Sequence, residues 1–461
     1  MPAKKIVIIG AGSVEFGLST VATLARDEAL RGSELALVDL NEQAVDHMAQ
    51  VARRMSAAWD ADLIVSADTE RTAVLDNADF VIVATEVAPR ETLWRMDWEI
   101  PLKYGLRQPY AENGGAGGLM HTCRQVPAIM AIVRDMERQC PQAWLINFSN
   151  PLPRINRAIS RYSTIKAVGK CHQIEAGYAF VAVLLRERFG IDVPPNVNLY
   201  SDPINAPVVH SLAAAGRARV TIRSAGLNHF IWLLDVRDKA TGEDLYPALR
   251  ASATTAPPTL DPLSMELFGA FDLLPIAGDT HLVEYLPWLH DPLAKPWETY
   301  QVPLYNWGDN EEVRKYLQGM LAEIAAGKQS VAGLHEARSE GAAEIIHAMA
   351  TARPYLDETV NIPNKGAIRG LPDDTIVELP AVVDGAGIHG QHIGEMPAAI
   401  TELLRREAAL VEMVVETAVT GDRHLALQTL LLDPMINDIG RARAILDDYL
   451  LAFEAYLPQF Q

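Results

Sequence analysis

Between residues 5 and 168, short runs rich in β-branched and aliphatic residues, at 6–9, 35–38, 80–83, 144–148 and 165–168, alternate with stretches that space apolar residues at three and four. This rhythm limits the possible folds more than any other feature of the chain. Strands joined through helices pair in parallel, and a parallel sheet needs helices over both faces. The helical stretches fall at 21–26, 43–58 and 124–137. The expected class is α/β, with a Rossmann-type doubly wound parallel sheet. After Cys171 a helical stretch reaches Phe189, and then apolar runs at 208–212, 220–222 and 230–236 are scattered among polar turns and prolines. Helical patterns return at 313–325, 341–351, 398–420 and 442–453, separated by a Pro- and Gly-rich segment at 361–390. At 461 residues the chain exceeds one ordinary core. The change of character places a boundary near 195, with a first domain at 1–195 and a mixed α+β, helix-rich second domain at 196–461.

Charge and cysteine usage narrow the partners. Lys plus Arg is 40 and Asp plus Glu is 59, a formal charge of −19, which repels nucleic acid and anionic lipid. Cys123, Cys140 and Cys171 are too few for a disulfide framework and suit a reducing cytoplasm, the expected compartment. The longest apolar run, at 176–185, is too short to span a membrane. Lys4 and Lys5 before the run at 6–9 imitate a signal peptide, but that run is short and ends on glycine, so it reads as a strand.

That first strand enters Gly10-Ala11-Gly12-Ser13-Val14-Glu15-Phe16-Gly17 and then a helix. A dinucleotide's pyrophosphate meets helix amides and the positive end of the macrodipole at such a turn. Gly10, Gly12, Ser13 and Phe16 are therefore cofactor-binding candidates, with Thr85, Glu86 and Asn147 beside later strand ends. Glu15 replaces the third glycine of the usual fingerprint, and the nearest glycine is Gly17. Asp39 ends the second strand, where a carboxylate accepts both ribose hydroxyls and favours NAD over its 2′-phosphorylated form. The plain alternative is an ordinary strand-to-helix turn with Asp39 as a helix cap.

Cys171 and His172 follow the run at 165–168, and His229 stands in Gly226-Leu227-Asn228-His229. A thiolate and an imidazole make a half-shell for a divalent ion, although a buried cysteine is more often plain core. At this point the chain resembles the NAD- and metal-dependent glycosidases of glycoside hydrolase family 4. The resemblance is carried by Gly10-Ala11-Gly12-Ser13, Ile100-Pro101-Leu102-Lys103-Tyr104-Gly105, Gly114-Gly115-Ala116-Gly117-Gly118, Asn147-Phe148-Ser149-Asn150-Pro151, Cys171-His172, Gly226-Leu227-Asn228-His229 and Asn361-Ile362-Pro363-Asn364-Lys365-Gly366. It extends through Leu371-Pro372-Asp373-Asp374-Thr375 to Leu430-Leu431-Leu432-Asp433-Pro434.

The resemblance implies Mn²⁺ held by Cys171 and His229, and a reaction outside the two-carboxylate scheme of most glycosidases. NAD⁺ takes a hydride from C3 of the sugar, the metal stabilises the enolate formed on loss of the C2 proton, the C1 substituent is eliminated, water adds and the hydride returns. It further implies a substrate-hydroxyl contact at Asn150, with Asn147 either a cofactor neighbour or a loop-fixing amide. His172 stands where some phosphosugar-cleaving members carry an aspartate acid, which points to an unphosphorylated sugar, with His172 either the acid or a hydrogen-bonding contact; the leading reading is a small, α-linked glycoside. For the base, Gly278-Asp279-Thr280-His281-Leu282-Val283-Glu284-Tyr285 offers Asp279 first and Tyr285 next, with His281 a substrate contact. A polar loop is the bland reading of that segment. Arg90, Arg95 and Lys103 would suit a carboxylate or sulfonate on the sugar, with Arg95 the substrate-binding candidate; the default is solvated surface charge. The glycines at 114–118 would bring amides against the nicotinamide or sugar, or simply form a turn. The family's habit implies a homodimer or homotetramer. The rival readings are a lactate/malate-type or sugar dehydrogenase, which needs no Cys171 with His229, and a catalytically silent NAD sensor.

Overall fold

A computed structural model describes residues 3–200, 205–291 and 293–461. Strands β1 (Lys5–Ile9), β2 (Glu34–Val38), β3 (Ile64–Asp68), β4 (Phe80–Val83), β5 (Trp144–Asn147) and β6 (Lys166–Gly169) pair in parallel in the order β3-β2-β1-β4-β5-β6. This is the doubly wound arrangement expected from the pattern. Helices α1 (Gly17–Ala25), α2 (Glu42–Ala58), α3 (Arg90–Leu102), α4 (Gly115–Gln139), α5 (Leu152–Tyr162) and α6 (Ile174–Leu184) accompany it.

Side chains alternate across the sheet as the pleat requires. Val7, Val81 and Leu145 face one hydrophobic cluster, while Ile6, Ile8 and Ile82 face another. The first cluster includes residues from α4, α5 and the helices Ala398–Thr420 and Ile439–Ala452; the second includes residues from α1, α2 and the helices Trp307–Ala325 and Ala342–Thr351. Helices from beyond residue 195 thus close both faces of the first sheet.

The sheet itself also crosses that point. Strands β7 (Val220–Leu227), β8 (Phe230–Asp238), β9 (Tyr355–Pro363), β10 (Ile376–Asp384) and β11 (Gly387–Gly390) extend it antiparallel, in the order β6-β9-β10-β7-β8 with β11 on β10. The Pro- and Gly-rich segment at 361–390 therefore holds the end of β9 and all of β10 and β11; its glycines fall at strand ends and turns, while Pro380 sits inside β10 at the register shift between Leu379 and Ala381. The run at 208–212 belongs to the helix Ala206–Arg219. Gly115 to Gly118 open α4 and are buried, because the helix start packs too closely for side chains: a Cβ on Gly114 would stand 2.2 Å from the Glu284 carbonyl oxygen.

Candidate active site

The carboxyl ends of β1, β4, β5 and β6 and the β7–β8 turn converge on one cavity of about 780 Å³, walled by Phe16, Arg90, Glu112, Asn150, Cys171, His172, His229 and His281 among others. Ligands collect on this side of an open α/β sheet.

One end is the glycine turn. Gly10 has φ +86°, and a Cβ there would lie 2.2 Å from the Ala84 carbonyl oxygen. Gly12 donates its amide to Asp39 Oδ2 at 2.9 Å, and Asp39 Oδ1 accepts from the Asn41 amide at 2.9 Å. Gly17 performs the close-packing task of the displaced third glycine, since its Cβ would meet the Ala11 carbonyl at 2.4 Å. Glu15 is neutralised instead by arginines: Arg90 Nη1 is 2.9 Å and Arg314 Nη1 3.2 Å from its carboxylate. Burial alone would raise the Glu15 carboxyl, but Arg90 and Arg314 outweigh it and hold it below its ordinary range. The turn, with Asp39 half-buried at the second strand's end, fits a dinucleotide.

At the other end Cys171 Sγ lies 3.6 Å from His229 Nε2. Cys171 follows β6 directly, while His229 occupies the two-residue turn between β7 and β8 at φ +60°, a left-handed conformation that a non-glycine residue adopts only where its surroundings enforce it. Those surroundings are visible. Gln173 Oε1 accepts the His229 amide at 2.8 Å, Asn113 Nδ2 donates to His229 Nδ1 at 2.9 Å, and the His281 ring stacks on His229 at 3.9 Å. Burial, with the Glu340 and Glu378 carboxylates, pushes the Cys171 thiol well above its usual range, and burial with His281 pulls His229 well below its own. A neutral imidazole is ready to ligate, and a cation would displace the thiol proton, so this donor set fits a divalent metal.

Glu112 is the carboxylate beside the pair, with Oε2 3.9 Å from His229 Nδ1. It accepts from Asn113 Nδ2 at 2.9 Å and Asn150 Nδ2 at 3.1 Å, and burial raises its carboxyl. Behind it the fully buried Glu284 accepts the amides of Glu112 and Asn113 at 2.9 and 3.3 Å, and burial plus the Glu112 charge push its carboxyl to about 8. His172 is 55% exposed, and its Nδ1 is 2.6 Å from Glu340 Oε1, whose charge raises the imidazole to about 9. Ligand atoms of Cys171, His172 and Glu340 lie within 4.8 Å of one another, as do those of Glu112, His229 and His281.

Several expected residues stand elsewhere. Asp279 is fully buried and lines no part of the cavity; its carboxylate accepts from the Leu263 and Ser264 amides and the Ser264 hydroxyl, capping the helix Pro262–Phe271. Tyr285 is also outside the wall, its ring stacked on Phe230 at 5.0 Å and its hydroxyl directed to the Asn228 carbonyl. Both are engaged within the protein rather than on the cavity wall. Arg95 lies over Trp307 at 5.3 Å and is not part of the cavity wall. Asn147 fixes its loop, bonded to Ser149 and Asn156, and is wholly buried. Glu86 pairs with His121 Nε2 at 3.0 Å, and the Thr85 amide donates to Ser149 Oγ at 2.8 Å. Ser13 Oγ accepts the Phe16 amide at 3.4 Å. Glu112 carries one signal in the sequence, its position before the glycine cluster. Glu340 and Gln173 carried none.

Residues 5–187 match the family described as "Family 4 glycosyl hydrolase" and residues 224–436 the "Family 4 glycosyl hydrolase C-terminal domain". The chain is 31% identical to an α-glucosidase of Erwinia rhapontici, over 96% of this chain and 97% of that protein. It is 29% identical to an α-galactosidase of Bacillus subtilis strain 168, over 99% and 100%, and 25% identical to an α-galacturonidase of the same organism, over 97% and 96%. A 6-phospho-α-glucosidase from gut microorganisms, solved in complex with NAD and Mn²⁺, superposes with a TM-score of 0.78 at 20% identity over 100% of both chains, a likeness of fold.

Proposed function

The chain belongs to the family 4 glycosyl hydrolases, and from that premise we propose that it cleaves small, α-linked, unphosphorylated glycosides with NAD and Mn²⁺ or another divalent metal as cofactors. The observation that carries the reading is the 3.6 Å pairing of Cys171 with His229 in a cavity that also reaches Phe16, beside the glycine turn. The α-glucosidase and α-galactosidase relatives support the anomer.

Cys171 and His229 would hold the metal, and Gly10, Gly12, Phe16 and Asp39 the dinucleotide. When bound, these groups supply a reversible hydride acceptor and a Lewis acid for adjacent sugar oxygens. The chain's own residues do the rest. Glu112 accepts a hydrogen bond from a glycone hydroxyl, and Asn150, tied to Glu112, orients the same part of the ring. His281, on the wall and stacked against His229, contacts the sugar and keeps the His229 ring in place. His172, on the more open side with Glu340 behind it, donates a proton to the departing oxygen. Sparse cysteine supports a cytoplasmic setting. The exposed Leu432, Ile439 and Leu451 on the last helices support a homodimer or homotetramer.

The test is hydrolysis of p-nitrophenyl α- and β-glycosides with NAD⁺, Mn²⁺ and a thiol reductant, each then omitted, while NADH absorbance is followed. Nitrophenol release that needs both cofactors without lasting NADH is the expected result. NADH accumulating with substrate loss would mean a dehydrogenase.

A further inference from the structure

We propose that the glycone taken by this cavity is uncharged, a ring bearing hydroxyls and no carboxylate, sulfonate or phosphate; the inference rests on the glycosidase reading above. Among the described residues, every Lys or Arg on the cavity wall has an acidic neighbour. Arg90 is paired with Glu15 at 2.9 Å and lies over the Trp94 ring at 4.6 Å. Lys170 is 6% exposed, its Nζ held by Asp357 Oδ1 at 2.7 Å and the Thr359 carbonyl at 2.6 Å. Arg338 has Glu175 at 3.9 Å. His172 is engaged by Glu340 at 2.6 Å.

Carboxylates outnumber these cations, because Glu112 and Glu336 line the same space beyond the partners already named. Glu112 stands beside His229, its Oε2 3.9 Å from Nδ1, on the wall that would face the sugar ring. The metal apart, an anion brought there gives up its water and meets acceptors, while the side-chain cations of the wall already share their charge with acidic neighbours. A hydroxyl group both donates and accepts, so it can give its proton to Glu112 and take one from an amide such as Asn150. Arg95 and Lys103, the other cations that might have read an acidic sugar, are respectively packed on Trp307 and exposed outside the wall.

The experiment is calorimetric titration of the protein, supplemented with NAD⁺ and Mn²⁺, with galactose, galacturonate and galactose 6-phosphate and the matching glucose series. Cleavage of the p-nitrophenyl α-glycosides of the neutral and uronic sugars is measured alongside. Neutral sugars should bind about 100-fold more tightly than either anion, with kcat/KM in the same order. Glu175→Gln, which removes the acidic neighbour of Arg338 on the wall and of Arg217 behind it, should narrow that gap about tenfold. An anionic sugar that binds or is cleaved as well as its neutral counterpart overturns the charge argument and leaves the glycosidase reading standing. If no sugar of either kind binds or is cleaved, the glycosidase reading falls and this inference with it.

Discussion

Lys170→Met should destabilise the protein by about 3–5 kcal/mol, the range for removing one partner from a buried ion pair. Lys170 and Asp357 are 6% and 4% exposed, and the ammonium makes two short contacts, 2.7 Å to Asp357 and 2.6 Å to the Thr359 carbonyl. Without it, Asp357 keeps one hydrogen bond, from the Thr359 amide at 3.1 Å, and its Oδ2 already has none. The site is mechanically exposed as well. β6 meets β9 through the single register pair Gly169–Asn361, and the Lys170–Asp357 pair, with the Asn156 amide on the Asn361 carbonyl, ties the strands beside that seam, one residue before Cys171. With an unfolding entropy of about 2.1 cal/mol/K per residue, this loss corresponds to a fall in Tm of roughly 3–5 °C for a chain of this size. Differential scanning calorimetry of Lys170→Met, Asp357→Leu and the double variant closes the cycle. The double variant should recover most of the loss, because replacing both charges leaves nothing buried and unpaired. A single variant within about 1 kcal/mol of the parent, or a double variant no better than the worse single, refutes the reasoning.

Cys171→Ser should abolish tight Co²⁺ binding and its sulfur-to-metal absorption band while leaving the far-ultraviolet circular dichroism unchanged; a retained band rules out the thiolate as ligand. Glu284 has a folded-state carboxyl near 8 against an ordinary 4.5, so its proton favours the folded protein. Its contribution is therefore lost as pH rises from about 4.5 to about 8, and Glu284→Gln should show a flatter fall of Tm across that window than the parent. Asp279→Ala should cost about 1–3 kcal/mol through loss of the helix cap and leave the rate of glycoside cleavage within a few-fold; a thousandfold loss of kcat in a folded variant would restore Asp279 as the base.

The first sheet and the glycine-turn end of the cavity are legible in the order of residues alone. The core strands β1, β2, β4 and β5 are buried on both faces and so read as continuous apolar runs. β3, at the sheet edge with Ile64 65% exposed, has no such run and escaped notice. Gly10, Gly12 and Asp39 were legible because a tight turn against a strand end admits few residue types. The long terminal helices kept their 3.6-residue period wherever they packed. Only the tertiary structure decided how β9 and β10 carry the sheet past residue 195, since antiparallel pairing across distant segments leaves no local mark. It alone decided which polar side chains face the cavity. Asp279, Tyr285, Arg95 and Asn147 have the right chemistry at the right places along the chain, yet each is engaged elsewhere, by a helix amide, an aromatic ring or a neighbouring loop. Residue type states what a side chain can do, and packing settles where its lone pairs and protons are spent.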